Sequence, residues 1–470
     1  MRTLLLLSVP AALGASLVGA ARGGLHVNAR AHVTACSHAD EASYLQSLSA
    51  APLPRGFRVG TSGFTFSPAE LDDAARATMN LTVIALDEPT SEYAAVFTRN
   101  RFPGAPVKVG RARLAAGAPL QAVVVNNKIS NVCAEGGVEA SEQVCAAAAS
   151  ALGFDAGGSA ILPMSTGVIG WRLPVDEMIS AMPAAAAALQ SGSALPAAKS
   201  IMTTDRFPKL RSVEACGGSL VGFAKGAGMI EPDMATMLAF VLTDVAVPRD
   251  ELQKMLRRAA DISFNACSVD ADQSTSDSLV CLSSGVVGGE GGASTDLSEF
   301  EAALTGLCDK LAQDIVRNGE GTTHVIRVAV SGAPDVELAR GVGKAVVNSP
   351  LFKSAVAGND PNVGRLVATV GSYLGRAAPD LPLDGCAMTM GGRVIFERGA
   401  FKIDAEAEDF VHAHLCDAVL SGADGASLPY PPHERCVEIG VDLGAGSASL
   451  TVHGSDLTHE YVSINADYRS

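Results

Sequence analysis

The chain has 470 residues, 48% of them apolar and 18% charged, with 35 Lys and Arg against 50 Asp and Glu for a formal net charge of −15. This is the profile of a folded chain longer than one compact core, which excludes extensive disorder, and its acidic balance without a basic stripe excludes nucleic acid as the expected partner. Ten cysteines without a CxxC pair, and histidines not spaced for zinc, point to reduced thiols and no metal.

The opening MRTLLLLSVPAALGASLVGA joins one arginine to an apolar run, and no acidic residue occurs before Asp40. It reads as a targeting segment, with the mitochondrial matrix as expected destination and the plastid as alternative. The run is short and broken by Pro10, so no membrane span is expected. Residues 1–50 are therefore set aside as the targeting segment, and folded sequence is expected from PRGFRVG at 54–60.

QAVVVNN (121–127) is a β-branched run and reads as a strand; SEQVCAAAASALG (141–153) reads as a helix with Ser141 as its N-cap. The alanine-rich stretch 181–199 reads as a helix, or a helix with a loop, bounded by Pro183 and Pro196. LAFVLTDVAV (238–247) is apolar on both parities, as a strand covered on both faces should be. RDELQKMLRRAADISF keeps Leu252, Met255, Leu256 and Ala259 at helical spacing, and another helix begins near Glu299. The strand THVIRVAV (323–330) leads through Gly332 and Pro334 to the polar turn GNDPN (358–362). RVIFERG reads as a strand, EDFVHAHLCDAVLSG as a helix, and three strands are expected between Cys436 and Asp467. The whole reads as α/β layers.

Two glycine-rich stretches carry no nucleotide signal. GVVGGEGGAS (285–294) lacks the ending of a phosphate loop and GVGKAV (341–346) is too short for one; both read as turns or helix-packing sites. His412 and His414, two apart in a helical pattern, point away from each other. Hydride transfer and metal-dependent hydrolysis are thus disfavoured.

KGAGMIEPDMATML (225–238) carries more. A threonine hydroxyl is a weak nucleophile, but an N-terminal threonine brings its own base, an α-amine with a pKa of about 8. Thr236 acquires one if its hydroxyl attacks the Ala235 carbonyl, the chain shifts from amide to ester, and water releases the new terminus. Gly226 and Gly228 permit a strained approach and Pro232 stiffens it. In isolation a threonine at a strand entrance is structural.

The stretch resembles the signature of the ornithine acetyltransferase family, the arginine-biosynthesis enzymes also called bifunctional glutamate N-acetyltransferases. It is joined in chain order by STGVIG (165–170), SIMTTD (200–205), NGEGTTH (318–324), NSPLFKSAVAGNDPNVGR (348–365) and the terminal YVSINADYRS, so the resemblance runs from about residue 54 to the end. It implies an α/β/β/α sandwich with a smaller C-terminal α/β domain, cleaved into an α chain of residues 51–235 and a β chain of 236–470. Thr236 would be the nucleophile, with Ala235 before the cut, and Thr166 and Gly167 would form the oxyanion hole. Thr203, Lys225, Glu320, Asn465 and Ser470, with Thr236, would bind substrate. The implied reaction is ping-pong, from N-acetylornithine to glutamate, with no cofactor and in an α2β2 assembly; acetyl-CoA as a second donor is left open.

VDADQSTSD (269–277) stands where the family has VxGDTSTND, NKISN (127–131) where it has SGNAN, Val363 where tryptophan is common, and Pro103 and Gly104 where cysteine and alanine are typical. None of these positions has an assigned role. The rival readings are an N-terminal-nucleophile aminopeptidase of related fold and a non-catalytic descendant.

Overall fold

The computed structural model describes residues 37–72, 74–231, 237–288, 296–422 and 428–466. In a first sheet, Phe57–Phe66, Ala77–Thr90, Leu120–Ile129 and Ile161–Val168 lie in that order, the last pair parallel and the others antiparallel. A second sheet runs Tyr93–Phe97, Ser278–Val287, Leu238–Val245, Gly218–Lys225, Lys209–Ala215. Its only parallel pairing joins Ser278–Val287 to Leu238–Val245.

Side-chain alternation decides what each face covers. Val123 and Val125 point from the first sheet into one buried cluster with Phe223, Phe240, Leu242 and Val280 of the second. Full burial of side chains such as Phe240 and Leu242 contributes about 1.5–3 kcal/mol each. The intervening Val124 points outward, to Val144 and Ala148 of the helix Gly137–Leu152 and Met178 and Met182 of the helix Val175–Ala187. On the far face of the second sheet, Ala239 and Val241 meet Leu252 and Leu256 of Arg249–Ile262 and Leu307 and Leu311 of Leu297–Arg317. Two sheets with helices outside each give the α/β/β/α order. A third, seven-stranded sheet packs with the helices Val336–Val347, Pro350–Ala357, Val363–Ala377 and Ala405–Asp417 around its own core.

Several sequence expectations are met. Leu238–Val245 is buried at every position, and Leu252, Met255, Leu256 and Ala259 are all buried. Gly343 lies within a helix where a Cβ would come 2.5 Å from Val452 Cγ2 and 2.8 Å from Val452 Cβ on the sheet, so this glycine serves close helix–sheet packing. His412 Nδ1 meets the Asn359 carbonyl at 2.9 Å, whereas His414 Nε2 accepts from the Glu438 amide at 2.9 Å, so the two do part.

Others are corrected. Ser141 is not an N-cap: the helix starts at Gly137 after Gly136 at φ 66°, and the Ser141 hydroxyl donates back to the Gly137 carbonyl at 2.9 Å. Pro183 lies inside the helix Val175–Ala187 rather than at its boundary. Pro183 and Ile179 are both exposed, so water can reach the carbonyl whose partner proline removes. Two closing strands form, Val437–Asp442 and Ala448–Ser455, but the described part of the third is the helix His459–Ala466. None of its residues is buried, so its β-branched side chains find no packed face to hold a strand. Part of the segment set aside from fold reasoning also folds: Glu41–Ser49 is a helix, and Tyr44 and Leu48 enter the core between the sheets.

Candidate active site

A cavity of about 300 Å³ opens where strand ends from the first two sheets meet. Thr166 and Gly167, near the end of Ile161–Val168, line it, as does Lys225, the last residue of Gly218–Lys225. Gly167 takes φ 124°, and a Cβ there would lie 2.2 Å from the Lys128 carbonyl carbon on the neighbouring strand, so the position demands glycine. Lys225 Nζ donates to Thr166 Oγ1 at 2.8 Å. Burial lowers the Lys225 pKa; Asp205 opposes this, Lys209 adds to it, and Asp277 and Glu320 oppose it again.

Asp205 fastens the loop bearing Thr203. It accepts the Thr203 amide at 2.9 Å and the Gly226 amide at 2.8 Å, and pairs with Lys209 in a fully buried ion pair. Burial works against its ionisation, but Lys209, Lys225 and the Gly226 amide prevail and hold its carboxyl at about 2. On the other wall, Glu320 follows the helix Leu297–Arg317, and its amide donates to the Ala227 carbonyl at 2.9 Å. Asn465 Nδ2 donates to Glu320 Oε2 at 2.8 Å. Gly228 leaves room for that carboxylate, since a Cβ there would sit 2.4 Å from Oε2. Asp270 accepts the amides of Met229 and Ile230, each at 2.7 Å, and so anchors the backbone just after Gly228.

Of the residues singled out from the sequence, Thr166, Gly167, Thr203, Lys225, Glu320 and Asn465 line this one cavity. Ala235, Thr236 and Ser470 lie outside the described residues. Sequence reasoning passed over Asp205, although it closes the quoted SIMTTD, and Ser274–Asp277, noted only within a departure from the family pattern. The sequence carries no signal for Asp205 beyond its place in that motif, because only the fold buries it between Lys209 and Lys225. Among the described residues, no group of His, Cys, Asp and Glu is arranged to hold a metal.

The ArgJ family model matches residues 69–470. The chain belongs to the ArgJ family. The arginine biosynthesis bifunctional protein ArgJ of Bartonella quintana is 38% identical over 418 residues, covering 87% of this chain and 95% of that protein. The ArgJ protein of Thermosynechococcus vestitus is 39% identical over 400 residues, 83% of this chain and 92% of its own length. Among solved structures, the argJ protein of Bacillus halodurans is 32% identical, covers 50% of this chain and all of its own, and superposes with a TM-score of 0.42.

Proposed function

We propose that this ArgJ family member is an arginine-biosynthesis acetyltransferase that moves acetyl from N2-acetyl-L-ornithine to L-glutamate through acetyl-Thr236. The observation that carries the reading is a single cavity with a cationic pole, Lys225 on Thr166, and an anionic pole, Glu320 held by Asn465. N-acetylornithine and glutamate each need such a pair. Lys225 suits an α-carboxylate, and Glu320 suits a substrate amino group. Thr236 is bonded to Met237, itself part of the cavity lining.

The Thr236 hydroxyl, its proton taken by the freed α-amine, attacks the acetyl carbonyl. Lys225 donates to Thr166 Oγ1 and so occupies that oxygen's acceptor side, which leaves the Thr166 hydrogen to join the Gly167 amide against the developing oxyanion. The C–N bond breaks and ornithine leaves. The amine of glutamate then attacks the acetyl ester and departs as N-acetylglutamate. Thr203 completes the substrate wall, and Ser470 is assigned to it from the sequence alone.

Maturation would cut between Ala235 and Thr236, giving an α chain that ends at Ala235 and a β chain of 236–470 in an α2β2 assembly, with acetyl-CoA a candidate second donor. The helix Glu41–Ser49 packs into the core, so a targeting segment directed to the mitochondrial matrix, or to the plastid, is proposed to end before it. Among the described residues no helix is long and apolar enough to cross a membrane.

The test is intact-mass analysis beside an ornithine-release assay. Wild type should give two chains and Thr236→Ala one, and ornithine release beyond one equivalent per site should require glutamate. Two chains in both proteins would sink the mechanism, and sustained release without an acceptor would favour the aminopeptidase reading.

A further inference from the structure

One wall of the cavity carries side-chain oxygens that the reaction above does not use. Thr275 Oγ1, Ser276 Oγ and Asp277 Oδ2 are buried and have no hydrogen-bond partner among the described residues. All three residues line the cavity, and Asp277 is only 1% exposed. A buried polar atom left unpaired is destabilising, so three in succession on a cavity wall suit a site that receives a polar group.

The carboxyls nearby are differently placed. Asp205 is committed to Lys209 and to two backbone amides, and Glu320 already accepts from Asn465. Asp277 keeps an oxygen in reserve. Its backbone is fixed beside the strand that follows the proposed nucleophile, because the Ser278 amide donates to the Met237 carbonyl at 2.9 Å. Burial pushes the Asp277 carboxyl well above the usual range, against hydrogen bonding to Ser274, the charge of Lys225, the Met237 amide and Thr98. Lys225 acts on it as a positive charge and would offset the carboxylate once formed, and the buried Cys267 thiol is the titratable neighbour that feels its charge. Carboxyls whose surroundings drive them apart in this way divide acid and anionic roles between them.

We propose that Asp277 is the proton-transfer residue for the substrate nitrogen in acetyl exchange, an inference that rests on the acetyltransferase reading above. As the neutral acid it gives its proton to the nitrogen of the amide donor as the C–N bond breaks and the bonding pair stays on nitrogen. The resulting carboxylate then takes a proton from the nitrogen of the acceptor amine after that nitrogen has bonded to the acetyl carbon. The α-amine of the nucleophile handles the hydroxyl proton separately, so each turnover returns both groups to their starting state. Thr275 and Ser276 supply hydroxyls that hydrogen-bond the same nitrogen region.

The test compares wild type, Asp277→Asn and Asp277→Glu on two acetyl donors, N-acetylornithine and 4-nitrophenyl acetate, whose phenolate leaves without needing a proton. General acid catalysis is worth about 10²–10⁴-fold. Asp277→Asn should therefore lose at least about 100-fold in kcat with the amide donor while acylation by the ester stays within about threefold. In wild type, kcat/KM for the amide should fall as pH rises through the raised pKa of Asp277, because the neutral acid is lost, and Asp277→Glu should restore activity with that limb displaced. Equal losses on both donors, or full amide activity in Asp277→Asn, would overturn the proposal. If Asp277→Asn does not mature, Asp277→Glu decides: an unmoved alkaline limb overturns it. Wild type that accepts the ester but never N-acetylornithine would instead overturn the acetyltransferase reading.

Discussion

Gly228 shows how little space separates a working anionic pole from a displaced one. A Cβ at this residue would stand 2.4 Å from Glu320 Oε2, 2.6 Å from its Cδ and 2.8 Å from Oε1, so Gly228→Ala must push the whole carboxylate aside. The backbone is not the obstacle, since Gly228 is not among the glycines with positive φ. The cost should fall on substrate positioning, where displacement by about 1 Å can cost on the order of 100-fold in rate. We expect Gly228→Ala to lower kcat/KM for N-acetylornithine by about 10- to 100-fold with the melting temperature nearly unchanged. Steady-state kinetics beside a thermal melt checks this, and a variant with wild-type kinetics would remove Glu320 from the binding site.

Among the elements, Asp205 ties the loop after the helix Leu195–Ser200 to the strand Lys209–Ala215 and to the backbone beyond Gly218–Lys225. Its folded pKa of about 2 lies below the ordinary 3.8. A depressed carboxyl adds stability that is fully present above its unfolded pKa and is lost as pH falls through the folded one, here between about 4 and 2. Asp205→Asn should abolish that acid-dependent portion. It should also destabilise the protein by about 3–5 kcal/mol at neutral pH, because Lys209 stays buried without its partner. Denaturant melts of both proteins across that pH range test this, and parallel stability curves would refute it.

Elements whose burial follows from their own periodicity were legible in the sequence: Leu238–Val245, apolar on both parities, and Arg249–Ile262, with its four-residue stripe, fold as their patterns dictate. Ser141, Pro183 and the terminal helix were not, because solvent or a neighbouring backbone decides each one. A good capping residue loses to a helix already begun at Gly137, and a helix tolerates proline where water satisfies the freed carbonyl. The strain at Gly167 is equally hidden, since it comes from Lys128 on the adjacent strand, itself at φ 131°.

For the molecule as a whole, the cavity is assembled from segments far apart in the chain, with Thr166, Lys225, Asp277, Glu320 and Asn465 meeting only after three layers have packed. Family resemblance could nominate most of them, but it passed over Asp277, whose burial and open oxygen arise from the fold. The segment nearest the C-terminus among these is the helix His459–Ala466, which contributes no buried residue. It is held by Asn465 on Glu320, by Tyr461 Oη on Asp270 at 3.3 Å, and by the preceding Thr458, whose hydroxyl donates to the Gly321 carbonyl at 2.7 Å. Gly321 takes φ 65°, and a Cβ there would meet the Tyr461 amide nitrogen at 2.4 Å, so the turn is shaped to let this helix approach. Such an element serves the site more than the core. A chain ending at Thr458 should therefore melt within about 2–4 °C of the full-length protein, as expected for a loss near 1 kcal/mol. Its acetyl transfer from N-acetylornithine should nonetheless fall by on the order of 100-fold, because Glu320 loses the amide that orients it. A drop of more than about 10 °C would show the helix to be a structural support, and unchanged transfer would place Asn465 outside the working site.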